Sequence, residues 1–152
     1  MRYAVACDHA GFPLKATVLA ELCTLGHDVV DLGTDSTAAV DYPDYAAALA
    51  EAVAAGRADR GIMVCGSGVG ACVVVNKLPG VRGAMCHDTF SARQGVEDDD
   101  MNVLCLGARI IGPELAKEII RSFEKARFSG LERHQRRLAK VNAIEARFQR
   151  RP

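Results

Sequence analysis

The run Cys65-Gly66-Ser67-Gly68-Val69-Gly70 holds the residues best placed to do chemistry. Glycines alternating with small residues after a cysteine describe a backbone that turns tightly and aims several N–H groups at one spot. Such a turn cradles an anion, and a helix beginning behind it adds the positive end of its dipole. The same field favours the thiolate of a thiol held at its mouth, which makes Cys65 a candidate base; a strand-end core thiol is the plainer alternative. Asp8-His9, His87-Asp88 and Glu97-Asp98-Asp99-Asp100 are the other groupings of titratable residues. The six cysteines (7, 23, 65, 72, 86 and 105) form no CxxC pair and no zinc-ligand spacing. Apart from Cys65, most lie in apolar runs and read as reduced, buried small hydrophobes.

The surrounding elements must position these groups. Residues 61–64 are a short apolar run of the buried-strand kind, and 71–77 read as a buried helix stopped by Pro79-Gly80. Before them come a strand over 3–7, a helix over 12–25 stopped by Gly26, and a strand over 28–32. An alanine-rich helix then runs from Asp41-Tyr42-Pro43 to about residue 55. After them come a strand over 81–86, a helix from 89 to about 96 and a strand over 102–106 closing at Gly107. Pro113 starts a helix to about residue 126. Five strand–helix units of this length predict an α/β fold with an open five-stranded parallel sheet covered on both faces. Ligands in such sheets bind beyond the carboxyl ends of the strands, where the strand order reverses. Asp8, His9, Cys65, Ser67, His87 and residues 98–100 all fall at or near those ends or in the loops beyond.

Composition sets outer bounds. The 152 residues make one domain, with no linker, repeat or low-complexity segment. Zero net charge gives no bulk attraction to nucleic acid or membrane. No apolar run approaches the roughly 20 residues of a membrane span, and no signal-peptide pattern opens the chain, so a cytoplasmic location is expected.

The tail over 127–152 differs in character, with eight Lys or Arg against Glu132 and Glu145. Leu138, Val141, Ile144 and Phe148 recur at helical spacing, while Arg133, Arg137 and Lys140 share another face. A helix appended to a complete sheet has little of its own domain to pack on. It either reaches a second subunit with its arginines or presents a solvated basic face. No aromatic platform accompanies it, which argues against a nucleic-acid role.

Cys7-Asp8-His9-Ala10-Gly11, Asp41-Tyr42-Pro43, the Cys65 turn with Asn76-Lys77, Asn102-Val103-Leu104 with Gly107-Ala108-Arg109, and Arg133-His134-Gln135-Arg136-Arg137 stand in order along the chain. Together they resemble the type B ribose-5-phosphate isomerase family, which includes the galactose-6-phosphate isomerase subunits. The resemblance implies a Rossmann-like three-layer sandwich with an extra C-terminal helix, assembled as a homodimer or tetramer with sites at the subunit interface. It implies interconversion of a phosphorylated aldose and ketose without metal or cofactor. Cys65 matches the base that moves a proton between C2 and C1, with Ser67 and the backbone of Gly66, Gly68 and Gly70 facing the enediolate. Asp8 resembles the residue that holds the sugar ring and hydroxyls, and Tyr42 a pocket-lining residue. His9 and Arg109, with Arg133 and Arg137 of a neighbouring subunit, resemble the phosphate clamp; His134 sits beside it.

The chain departs from that pattern at Asp98, where ribose-5-phosphate isomerases usually carry a histidine credited with opening the furanose ring. An ordinary carboxylic acid is a poor proton donor to a ring oxygen at neutral pH unless burial or its acidic neighbours keep it protonated. Position 99, usually asparagine in ribose-specific members, is Asp99 here. A solvated acidic loop is the plain alternative, though four acids at a helix C-terminus oppose its dipole. Three explanations stand open: a substrate with no furanose to open, such as a tetrose 4-phosphate; a hexose 6-phosphate opened otherwise; or a substitution that weakens a ribose enzyme. Two other classes also stand. Gly66-x-Gly68-x-x-Ala71 with Asp88 fits a dinucleotide fingerprint, although the usual site is the first strand–turn–helix. A sugar-phosphate-binding protein with impaired ring opening is the second.

Overall fold

The computed structural model describes residues 1–149. Strand and helix alternate through β1 (Arg2–Cys7), α1 (Phe12–Thr24), β2 (Asp28–Asp31), α2 (Tyr42–Ala54), β3 (Arg60–Cys65) and α3 (Val69–Val75). They continue through β4 (Gly83–Met85), α4 (Thr89–Asp99), β5 (Val103–Gly107), α5 (Pro113–Lys125) and α6 (Glu132–Gln149). The strands form one parallel sheet in the order β2-β1-β3-β5-β4. This is the expected five-stranded α/β architecture.

Side chains of a strand alternate between faces, so each central strand feeds two cores. Val5, Ile62, Val64, Leu104 and Leu106 pack with Leu14, Val18 and Leu22 of α1, Val96 of α4, and Ile119, Ile120 and Phe123 of α5. Ala4, Ala6, Met63 and Cys105 face the other way, against Leu49 and Val53 of α2 and Ala71 and Val75 of α3. Two helical layers thus enclose the sheet.

Three boundaries differ from the sequence reading. β4 spans three residues instead of 81–86. The Val81 N–H turns back to the Leu78 carbonyl at 3.2 Å and the Arg82 N–H goes to Asn102 Oδ1 at 2.8 Å, while the Asn76 amide covers the open-edge groups of Gly83 at 2.9 and 2.8 Å. α3 starts two residues earlier than expected and is seven residues long. α4 runs on through Asp98 to Asp99, so those acids lie on a helix. Asp100 ends it in the left-handed region (φ 53°), ion-paired to Arg82 at 2.6 Å, and Glu97 pairs with Arg93 at 2.7 Å. These partners offset the dipole penalty of the acidic run.

The tail is helical as expected, but it packs thinly. His134 is its one buried side chain among the described residues, while Val141, Ile144 and Phe148 are about half exposed (50%, 55% and 47%). With Val81, Ala84 and Met101 opposite, they line a groove of about 800 Å³. Arg150 and Arg151, counted in the basic tail, lie outside the described residues. No described helix is long and apolar enough to cross a membrane.

The strand order reverses between β1 and β3, whose carboxyl ends lie side by side with Cys7 opposite Val64. The chain leaving β1 is pressed so closely on β3 that a Cβ on Gly11 would sit 2.1 Å from the Val64 carbonyl oxygen. Gly11→Ala therefore forces two backbones apart and is expected to lower unfolding stability by about 1–3 kcal/mol or more. Urea titration would read this as a lower midpoint at unchanged slope.

Candidate active site

Cys65 is the last residue of β3 and nearly buried, at 5% exposure. Its sulfur accepts a hydrogen bond from the Gly68 N–H at 3.1 Å. Gly68 makes that approach at φ +87°, a conformation that side chains rarely adopt. One residue on, the Val69 N–H donates to Ser67 Oγ at 3.3 Å, which leaves the hydroxyl hydrogen to point elsewhere. The N–H groups of Ser67 and Gly70 have no acceptor among the described residues. With Gly66, whose N–H likewise has no acceptor among the described residues, the turn presents three backbone donors and one hydroxyl near the sulfur.

Neighbouring strand ends close the crevice. Arg109, just past β5, donates its N–H to the Gly66 carbonyl at 3.0 Å, and its side chain passes over Gly66. There its Cδ and Cζ come within 3.6 Å of where a Cβ would stand, so the guanidinium stem lies at ordinary contact distance along the Gly66 backbone. The Tyr42 ring covers Gly70, at 2.8 Å from the corresponding Cβ position. Asp8 follows β1 and is 6% exposed, and its Oδ1 accepts from the Gly11 N–H at 2.8 Å. Asp8 thus serves the turn into α1 with one oxygen. His9 Nδ1 lies 3.2 Å from both the N–H and the carbonyl oxygen of Val40, which fixes the ring. His87, read as structural, accepts the Gly107 N–H on Nε2 at 2.9 Å and ties the end of β4 to that of β5.

One chain thus gathers Asp8, His9, Tyr42, Cys65, Gly66, Ser67, Gly68, Gly70 and Arg109 at one end of the sheet. It does not bring Asp98, Asp99, Arg133 and Arg137 to them: no hydrogen bond or ion pair among the described residues joins the two sets. Asp98 accepts from Gln94 Nε2 at 3.0 Å and faces His134 Nδ1 at 3.4 Å. Asp99 is exposed at the groove beside α6. Arg133 and Arg137 are exposed on α6, with no hydrogen bond or ion pair among the described residues. Asp88 caps α4 by accepting the Ser91 N–H at 2.7 Å, a role that accounts for it without a dinucleotide.

Of the other cysteines, Cys7, Cys86 and Cys105 are buried, as expected for most of them. Cys23 is exposed and Cys72 half-buried. Burial pushes the Cys7 and Cys86 thiols up to about 11. Cys72 is pulled down to about 6 by a hydrogen bond from the Cys105 thiol, helped by a backbone donor and the Asn76 amide, against partial burial. That bond and deep burial hold Cys105 well above the usual thiol range. The contact joins α3 to β5, so no local sequence pattern announces it.

A near-buried thiol, a carboxylate, an anchored imidazole, a guanidinium and backbone donors at one end of the sheet are the residue types that proton abstraction beside a carbonyl in an anionic substrate would use. Among the described residues no group of three or more His, Cys, Asp or Glu is placed to hold a metal ion. Comparison with known proteins agrees with this chemistry. The Ribose/Galactose Isomerase family profile matches residues 3–141. Ribose-5-phosphate isomerase B of Escherichia coli (strain K12) is 43% identical over 146 residues, covering 96% of this chain and 97% of that protein. D-erythrulose-4-phosphate isomerase of Pectobacterium atrosepticum is 45% identical over 128 residues, 84% of each. The solved structure of Clostridium thermocellum ribose-5-phosphate isomerase B superposes with a TM-score of 0.94 at 40% identity, covering 97% of this chain and 99% of that one.

The thiol environments give a direct test. Thiolate content at Cys72 rises as pH climbs through about 6. Its alkylation by iodoacetamide is therefore expected to be about tenfold slower at pH 5 than at pH 7, while Cys7 and Cys86 stay unlabelled at both. Peptide mass spectrometry after short pulses would measure it, and Cys72 labelling confined to alkaline pH would contradict the assignment.

Proposed function

The chain belongs to the ribose/galactose isomerase family and is a sugar-phosphate aldose–ketose isomerase, and on that premise we propose that Cys65 carries the proton in converting ribose 5-phosphate to ribulose 5-phosphate. The observation that carries this reading is the seat of Cys65: a near-buried sulfur at the end of β3, beside unpaired backbone donors. As a thiolate it takes the proton from C2, and the electron pair moves to the C1 oxygen to give an enediolate. The Ser67 hydroxyl and the N–H groups of Ser67 and Gly70 receive that charge; losing one such donor typically costs about 2.7–4 kcal/mol in the barrier. The hydroxyl proton on O2 passes to O1, and the proton on sulfur returns to C1, which completes the ketose.

Asp8 holds the sugar hydroxyls, and Tyr42 walls the pocket. His9 and Arg109 begin a phosphate clamp that Arg133 and Arg137 of a second copy complete, with Asp99 beside them. Two features favour this division. Arg133 and Arg137 stand exposed on α6 with no partner among the described residues, and the apolar stripe of the same helix lacks full cover there. The working form is then a homodimer or tetramer with shared sites. Six free cysteines suit a reducing cytoplasm.

A second reading has its own support. The carboxylate of Asp98 is engaged by Gln94 and His134, which leaves it poorly placed to open a furanose ring. A tetrose 4-phosphate has no furanose to open, and the Pectobacterium relative is named for such a substrate.

Proton NMR in heavy water with ribose 5-phosphate, erythrose 4-phosphate and allose 6-phosphate would separate these substrates. Deuterium should enter the product of the true substrate. Cys65→Ala should lower that rate by about 10²- to 10⁴-fold with the fold intact. Undiminished exchange would move the base elsewhere.

Shared sites make a second prediction. Cys65→Ala and Arg137→Ala are each expected to be nearly inactive. Unfolded together and refolded, they should recover about one quarter of wild-type activity, since half the dimers are mixed and each mixed dimer holds one intact site. No recovery in demonstrably mixed dimers would put both residues in the same subunit's site.

A further inference from the structure

We propose that Asp98 and His134 act as one unit that fixes the start of α6 against the end of α4, making Asp98 a positioning residue for the α6 arginines. This rests on the phosphate clamp proposed above. It differs from the role that the resemblance attaches to position 98, where a side chain handles a proton of the sugar itself.

The geometry is specific. The Asp98 carboxylate is held from two sides: Oδ2 accepts from Gln94 Nε2 at 3.0 Å, one turn earlier on α4, and Oδ1 faces His134 Nδ1 at 3.4 Å. His134 is 4% exposed, and its Nδ1 also lies 2.7 Å from Ser129 Oγ. Ser129 in turn donates its N–H to the Glu97 carbonyl at 2.9 Å and accepts the Leu131 N–H on its hydroxyl at 3.3 Å. The Leu131 carbonyl accepts from the N–H groups of His134 and Gln135, each at 2.9 Å. The connection into α6 is therefore wound around the imidazole and stitched to the last turn of α4.

Little else orients this end of the helix. Leu138 is half-buried, and the other described α6 side chains except His134 and Glu145 are exposed. Glu145 makes a far contact, accepting the Gly80 N–H at 3.2 and 3.1 Å. Arg133 precedes His134 and Arg137 lies one turn beyond it, so rotating α6 about its N-terminus moves both guanidinium groups together. Phosphate recognition by arginine depends on such placement, and an error of about 1 Å in a positioning group can cost about 10²-fold.

The test compares Asp98→Asn and His134→Gln in the full-length protein, using ribose 5-phosphate, erythrose 4-phosphate and inorganic phosphate as probes. A positioning unit predicts that each variant raises KM for both sugars by about 10-fold while changing kcat little. The double variant should be no worse than either single one. Inhibition by inorganic phosphate should weaken in parallel, and Asp98→Asn added to Arg137→Ala should weaken calorimetric phosphate binding no further. Loss of kcat with ribose 5-phosphate alone, confined to the Asp98 variant, would overturn the proposal in favour of a proton carrier. Unchanged KM and unchanged phosphate inhibition in both variants would overturn it outright. Should the wild-type protein turn over neither sugar, the functional reading fails separately. Calorimetric phosphate binding then decides: weakening in both variants supports the unit, and equal binding refutes it.

Discussion

The parallel pairing of β1 with β3 is the constraint on which the site depends. Register places Cys7 opposite Val64, so that the residues following each strand, Asp8 and Gly66, emerge side by side where the strand order reverses. Chains leaving this point in opposite directions need room, and the absence of a Cβ at Gly11 supplies it. A parallel sheet fully enclosed by helices tolerates no slip here, because a shift of one residue exchanges the two hydrophobic cores. Catalytic geometry and core packing are therefore specified by the same hydrogen-bond ladder.

What the sequence makes legible follows from range. Alternating apolar runs and glycine stops give all five strand–helix units, since those signals are local. Cys65 is also legible, because its surroundings are its next five residues. Arg109 and Tyr42 enter through resemblance, and the structure supplies the reason for their place: the Tyr42 ring lies where Gly70 lacks a side chain, and the Arg109 N–H is bonded to the Gly66 carbonyl. The shortened β4 was hidden, because the Arg82 N–H is taken by the Asn102 side chain from another part of the chain. Cys72 was hidden for a similar reason, its character being set by Cys105 on another element. The Asp98–His134 contact joins two helices whose packing no local periodicity encodes.

The two residue sets behave differently because their supports differ. Cys65 and its neighbours hang on strand ends within a close-packed interior, where small displacements are resisted. Arg133 and Arg137 hang on a helix with one buried polar side chain and an apolar stripe half open to solvent. An amphipathic helix draws most of its stability from burying its apolar face. A second copy covering Val141, Ile144 and Phe148 would thus both stabilise α6 and deliver its arginines.

The acidic end of α4 ties this support to substrate choice. Carboxylates near a helix C-terminus are unfavourable, and the chain offsets them through Arg93, Arg82 and the His134 contact. A carboxylate held in such a contact, and accepting from Gln94 as well, is poorly disposed to donate a proton to a ring oxygen. A histidine at the same position would be free of that attraction to His134 and able to exchange protons near neutrality. Replacing it by aspartate exchanges a mobile proton for a fixed helix. On the positioning role proposed for Asp98, that exchange would be tolerable where the substrate reaches the site already in its open-chain form.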